Sequence, residues 1–161
     1  MGTEGKILSR ESLLGLVKKL KKQGKRIVTA NGTFDILHPG HIKFLEEAKA
    51  QGDMLIAAVN SNSSVKQNKG PSRPVNTEQD RARMLAALQC VDYVTIFSER
   101  TPIELLEAVR PDVHVNGSDY GENCIKAPTV KKHGGRIHII ELVPGYSTTG
   151  FIKKANQSKS F

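Results

Sequence analysis

Residues 26–60 read RIVTANGTFDILHPGHIKFLEEAKAQGDMLIAAVN and hold two largely apolar runs on either side of a helical pattern. The run Arg26 to Asn31 reads as a buried strand, and Met54 to Asn60 as a second one. Between them, His41 to Gln51 places Ile42, Leu45 and Ala48 on one face at helical spacing. Strand, helix and strand at these lengths predict a βαβ unit, with parallel strands joined by a crossover helix. Its first turn carries Gly32, the pair Phe34-Asp35, and His38-Pro39-Gly40-His41.

The same alternation runs outward along the chain. Leu13, Leu14, Leu16, Val17 and Leu20 form an amphipathic helix over Ser9 to Gly24, with lysines at its C-terminal end, where cations suit the helix dipole. Ser61 to Val75 is polar, contains Lys66, Lys69, Arg73 and two prolines, and is expected to be a mobile loop. Asn76 to Cys90 returns to helix and "YVTIF" is strand. Thr101-Pro102-Ile103-Glu104 reads as a capping box with proline at the first helical position. "VHVNG" (Val113 to Gly117) is strand, Glu122 to Lys132 helix, "RIHIIEL" (Arg136 to Leu142) strand, and Ser147-Thr148-Thr149 opens a last short helix. The expected fold is α/β, a Rossmann-like five-stranded parallel sheet with helices on both faces. The expected organisation is an N-terminal helix over residues 1–24, a core domain over 25–155 and a polar tail over 156–161.

At 161 residues the chain suits one domain, and 38% apolar with 25% charged residues fits a soluble globular protein. No apolar run is long enough to cross a bilayer, and the opening Met1-Gly2-Thr3-Glu4 has no character of a signal peptide, so a cytoplasmic protein is expected. Cys90 and Cys124 are far apart and form no C-x-x-C, which points to two free thiols. A net charge of +8 fits either a nucleic-acid surface or a site for small polyanions. Aromatics are only 5% and the cations are scattered, which disfavours the first.

In a doubly wound sheet ligands bind beyond the carboxyl ends of the strands, where strand order reverses. Five segments are expected to meet there: the turn after strand one, the loop after Asn60, the segment after strand three, "NGSDYG" and "PGYSTT". In the first turn Gly32 lets backbone approach a ligand, and the following helix start offers free N–H groups to an anion. His38 and His41 add donors where a P-loop would carry lysine, and the pattern matches neither the P-loop nor the dinucleotide fingerprint. The plain alternative makes His38 a turn residue and His41 a capping or partly buried one. A metal pair is a further alternative, although no third ligand stands nearby.

"GTFDILHPGH" closely resembles the first signature of the HxGH, or cytidylyltransferase-like, nucleotidyltransferases, and "PGYSTTGFIKK" resembles their second. "VNSNSS", "KGPSRPVNTEQDR", "VDYV" and "RPDVHVNGSDY" are similar to the adenylyltransferase part of bacterial ADP-heptose synthesis proteins. The resemblance runs from about Arg26 to Ala155. It implies transfer of AMP from ATP to a heptose 1-phosphate, giving ADP-heptose and pyrophosphate for surface-glycan precursors, by a form without the fused sugar kinase. It also implies Mg²⁺ held mainly by ATP phosphates, and a homodimer.

Residue by residue, the resemblance puts His38, His41, Lys69 and Arg81 in catalytic positions. ATP would be held by Gly32, Thr33, Phe34, the two histidines, Asn116, Gly117, Asp119, Tyr146, Ser147, Thr148 and Thr149. Asp35, Lys69 and Tyr120 would hold the sugar phosphate. Two departures bear on the contacts: Asn62 stands where relatives commonly carry Asp, and Asn116 where heptose enzymes carry Lys. Gln89 and Leu142 stand where glycerol-phosphate cytidylyltransferases carry Arg, which weakens a CTP-using reading. Rival readings keep the chemistry with another nucleotide or phosphorylated acceptor, or replace it by nucleic-acid binding or by nucleotide sensing without catalysis.

Overall fold

Val28, Thr29 and Ala30 lie between Leu55, Ile56 and Ala57 on one side and Val113, His114 and Val115 on the other, all strands running parallel. This is the centre of the computed structural model, which describes residues 2–158. Along the chain come α1 (Thr3–Lys6), α2 (Arg10–Lys22), β1 (Ile27–Gly32), α3 (Pro39–Lys49), β2 (Met54–Asn60), α4 (Asn62–Lys69) and α5 (Glu78–Ala86). β3 (Tyr93–Phe97), α6 (Ile103–Val109), β4 (Val113–Gly117), α7 (Ala127–Lys132), β5 (Arg136–Ile140) and α8 (Thr148–Gln157) follow. The five strands of the sheet lie in the order β3-β2-β1-β4-β5, so the direction of winding reverses between β1 and β4.

Alternate residues of the strands feed two cores, which is why the runs read as continuously apolar. Val28, Ala30, Leu55, Ala57 and Val59 pack with Leu45 and Ala48 of α3 and with Ala82 and Leu85 of α5. Ile27, Ile56, Ala58 and Phe97 face the other way, onto Leu13 and Val17 of α2 and Leu105 and Val109 of α6. The apolar stripe of α2 is thus buried inside the chain. On that second face the two central strands also carry Thr29 and His114, buried and paired through Oγ1 and Nδ1 at 2.8 Å. No helix among the described residues is long and apolar enough to cross a membrane.

Four expectations are corrected. The segment after Asn60 is not a loop throughout: α4 occupies residues 62–69, with Ser61 capping it through the Ser64 amide. Ser64 is buried and donates to the Glu99 carbonyl, so Val65 is the one buried apolar residue of this helix and no apolar stripe announces it. The capping box at Thr101 does not form; Pro102 takes the cap position without a side-chain hydrogen bond and α6 starts at Ile103. Residues 122–126 are turns rather than helix, because Pro128 has no N–H to continue a helix backward and confines α7 to Ala127 onward. The polar tail starts later than expected, since α8 runs through Gln157; residues 159–161 of that expectation lie outside the described residues.

Candidate active site

β1 ends at Gly32, and the chain then reverses through Phe34, whose φ of 47° lies in the left-handed region. A Cβ on Gly32 would stand 3.1 Å from the Phe34 ring, so the missing side chain makes room for that ring. This corrects the expectation that Gly32 clears space for a ligand. The chain next enters α3 through His38, whose Nδ1 accepts from the His41 amide at 3.3 Å as a helix cap. Gly40 is small for a related reason: a Cβ there would lie 3.0 Å from His38 Nδ1 and 3.1 Å from Tyr146 Cβ.

His38 and His41 stack face to face, 3.7 Å between centroids and 18° from parallel. Phe34 meets His41 edge-on at 5.4 Å, and Phe151 of α8 lies parallel to His38 at 5.7 Å. The aromatic flanks bury His38 and half-bury His41, which disfavours their charged forms. Burial, then the charges of His38 and Lys69, push His41 down to about 4, and burial lowers His38 as well. Both rings are therefore neutral at pH 7. Because His38 Nδ1 accepts a hydrogen bond, its proton sits on Nε2, leaving that atom as a donor. His41 Nδ1 is buried without a hydrogen-bond partner.

These rings line a cavity of about 530 Å³ at the carboxyl ends of the strands. Phe34, Lys69 and Arg73 also line it, as do Gly117, Asp119 and Tyr120 after β4 and Tyr146, Ser147, Thr148 and Thr149 at the start of α8. Ser147 caps α8 by accepting from the Gly150 amide at 3.0 Å. The cavity thus joins two helix N-termini, two neutral imidazoles and two cations, a set suited to several phosphate groups in a row. A second cavity of about 560 Å³ shares Lys69, Asp119 and Tyr120 with the first and takes in Asn31, Thr33 and Lys126.

Besides Gly32, which does not line the first cavity, and Thr33, which lines only the second, three expected site residues lie elsewhere. Asp35 is 1% exposed, and its carboxylate accepts from the Val75 and Asn76 amides and from Arg73 Nε, each at 2.9 Å. Burial alone would raise its pKa, but the Asn76 and Val75 amides and Arg73 outweigh it and hold the carboxyl ionised. Asp35 pins the chain that delivers Arg73 to the cavity instead of meeting an acceptor. Arg81 is fully buried and donates to the carbonyls of Thr33, Asn60 and Asn76 and to Asn62 Oδ1. Four of its five N–H donors are taken by the protein, so it braces the site from beneath. Asn116 is buried too, its Nδ2 donating to Cys124 Sγ at 3.0 Å and its Oδ1 accepting from Lys126 Nζ. Both cysteines are free thiols, as expected.

Sequence reading passed over Lys126, Arg73 and Phe151. In sequence Arg73 reads as one more loop cation, and only its distant partner Asp35 distinguishes it. Phe151 sits inside the quoted "PGYSTTGFIKK" and was legible as an aromatic one turn into the helix. Nothing in local spacing singles out Lys126.

The histidines do not suit a shared metal. Imidazole ligands hold a metal in the ring plane, and these two planes lie nearly parallel with their centroids 3.7 Å apart. Among the described residues no group of three or more His, Cys, Asp or Glu is placed to hold an ion.

A family model described as cytidylyltransferase-like matches residues 29–154. The bifunctional protein HldE of Syntrophotalea carbinolica is 46% identical over 152 residues, which is 94% of this chain and 31% of that protein. HldE of Methylobacillus flagellatus is 50% identical over 150 residues, 92% of this chain and 31% of that protein. The chain therefore spans about a third of the length of these curated relatives. The crystal structure of the lipopolysaccharide core biosynthesis protein from Thermoplasma volcanium GSS1 matches with a TM-score of 0.60 at 30% identity, covering 74% of this chain and 98% of that chain.

Proposed function

We propose that this chain, which belongs to the cytidylyltransferase-like family, transfers AMP from ATP to a D-glycero-D-manno-heptose 1-phosphate, forming ADP-heptose and pyrophosphate. The observation that carries the transfer chemistry is the stacked His38–His41 pair at the N-terminus of α3, in one cavity with the N-terminus of α8. The acceptor class is supported by the similarity to bacterial ADP-heptose synthesis proteins. The Thermoplasma relative described as a lipopolysaccharide core biosynthesis protein also supports it.

A phosphate monoester dianion is already a nucleophile near neutral pH, so no covalent intermediate and no strong general base is needed. An acceptor oxygen attacks the α-phosphorus in line and pyrophosphate departs on the opposite side. The protein's part is positioning and charge stabilisation. His38 donates through Nε2–H, His41 sits beside it, Lys69 and Arg73 add positive charge, and the amides at the start of α8 meet phosphate oxygens. Tyr146 borders the nucleotide. As neutral donors the imidazoles favour charge that builds on the departing phosphates without fixing the ground state strongly.

Magnesium fits this donor set in one way. Asp119 is the carboxylate on the cavity wall, amid cationic and histidine side chains, so Mg²⁺ would be held mainly by phosphate oxygens and water with Asp119 nearby. It would supply shielding of the triphosphate charge. The reading includes a cytoplasmic location, where ATP is available, and assembly as a homodimer, which sedimentation checks.

The test is pyrophosphate release by purified protein with Mg²⁺, ATP or CTP, and each heptose 1-phosphate anomer beside glycerol 3-phosphate. Release with ATP and a heptose 1-phosphate is expected. Turnover confined to CTP, or to another acceptor, would replace this reading.

A further inference from the structure

Lys126 stands just before α7 and is 5% exposed, yet no salt bridge reaches its ammonium among the described residues. Its Nζ donates to Asn31 Oδ1 at 3.2 Å and to Asn116 Oδ1, both neutral amide oxygens. An ammonium has three N–H donors, so one remains. The Asp119 carboxylate acts on Lys126 through charge without forming an ion pair, and a buried ammonium whose hydrogen-bond partners are neutral is further stabilised by an arriving anion. The cavity beside it supplies a place for one: Lys126 lines the 560 Å³ pocket, with the exposed Arg100 on its rim.

The surroundings hold the ammonium in place. Asn116 is oriented by Cys124, whose sulfur takes the Nδ2 hydrogen bond and leaves Oδ1 turned to Lys126. Asn31 and Asn116 continue the polar strip that Thr29 and His114 begin on the same sheet face. Lys126 also lies 4.7 Å from the centroid of the Tyr120 ring, and Tyr120 belongs to both cavities. A group held by Lys126 is thus next to the triphosphate site, in a cavity that has Lys69, Asp119 and Tyr120 in common with it. In-line displacement needs the attacking oxygen to reach the face of the phosphorus opposite the leaving group, and two cavities that share Lys69, Asp119 and Tyr120 lie side by side as that approach requires.

We propose that the second cavity holds the acceptor, with the Lys126 ammonium binding the phosphate of the sugar 1-phosphate and Arg100 guarding the entrance. This rests on reading the chain as a nucleotidyltransferase, and it assigns to Lys126 the acceptor-binding role first expected of Asp35.

The experiment is a grid of ATP and heptose 1-phosphate concentrations, read by pyrophosphate release, for wild type, Lys126→Met, Lys126→Arg and Arg100→Ala. Loss of a hydrogen bond to a charged group predicts that Lys126→Met raises the acceptor KM by on the order of 10-fold or more, while the ATP KM stays within about twofold. Lys126→Arg retains part of the acceptor affinity and Arg100→Ala raises the acceptor KM several-fold. An unchanged acceptor KM in Lys126→Met, or equal weakening of both substrates, overturns the assignment. Should Lys126→Met fail to fold by circular dichroism, Lys126→Arg and Arg100→Ala decide in the same way.

A wild-type protein that releases no pyrophosphate with any phosphosugar would defeat the reaction assigned above rather than this site. The site is then judged by calorimetric titration of inorganic phosphate into protein saturated with a non-hydrolysable ATP analogue. A second phosphate site that disappears in Lys126→Met supports it, and absence of that site in wild type overturns it.

Discussion

Arg73 donates through Nε to Asp35 Oδ2 at 2.9 Å, and this ion pair ties the segment after α4 to the turn after β1. The Asp35 side chain is wholly buried while that of Arg73 is 15% exposed, so the pair connects the interior to the cavity wall. One carboxylate thereby holds two backbone amides and the guanidinium that lines the first cavity.

Replacing Asp35 by Asn keeps the size and removes the charge, which leaves the Arg73 guanidinium without its counter-ion. Breaking a largely buried pair costs about 3 kcal/mol, so urea unfolding of Asp35→Asn should show a loss of that order. Turnover should fall with it because Arg73 is no longer fixed. A variant of normal stability with only a raised acceptor KM would restore Asp35 to acceptor binding.

Arg81 serves four oxygens from positions 33, 60, 62 and 76, and no shorter cation reaches all of them. Arg81→Lys should therefore lower stability by roughly 3 kcal/mol, since buried acceptors lose their donors. For a chain of this size that is on the order of 6 to 12 °C in Tm. A melting point equal to wild type with a large loss of ATP affinity would mean that Arg81 reaches the triphosphate.

The imidazoles set a pH dependence with a definite sign. In the free protein burial, then His38 and Lys69, hold His41 at about 4, and burial lowers His38. A bound triphosphate brings negative charge to the same rings and raises their pKa values. A group whose pKa is higher in the complex takes up protons between its free and bound values, so ATP affinity strengthens as pH falls through the bound pKa toward about 4. Calorimetry at pH 6 in buffers of different ionisation enthalpy should show proton uptake on ATP binding, and His41→Gln should reduce it. Proton release, or equal uptake by the variant, contradicts the placement.

What the sequence shows about this molecule depends on how local the cause is. β2, β3 and β4 match their apolar runs residue for residue, because burial on both faces of a parallel sheet leaves continuous apolar stretches. His38, His41 and Ser147 were legible from their place beside a turn and a helix start. Arg81 was not: its partners come from three separate segments, and nothing within its own helix tells a buried guanidinium from a solvated one. The same holds for Lys126, whose oxygens come from Asn31, 95 positions away, and Asn116, 10 away. α4 escaped notice because it is anchored by a buried serine rather than by a stripe.

The central claim is that the stacked imidazoles act on the phosphates of ATP, and single-turnover pyrophosphate release by His41→Ala at saturating ATP and acceptor tests it most directly. Removing one preorganised donor from such a site should slow the step by on the order of 10² to 10³, with the fold intact by circular dichroism. A rate within a few-fold of wild type would show that His41 only packs the turn between Phe34 and His38.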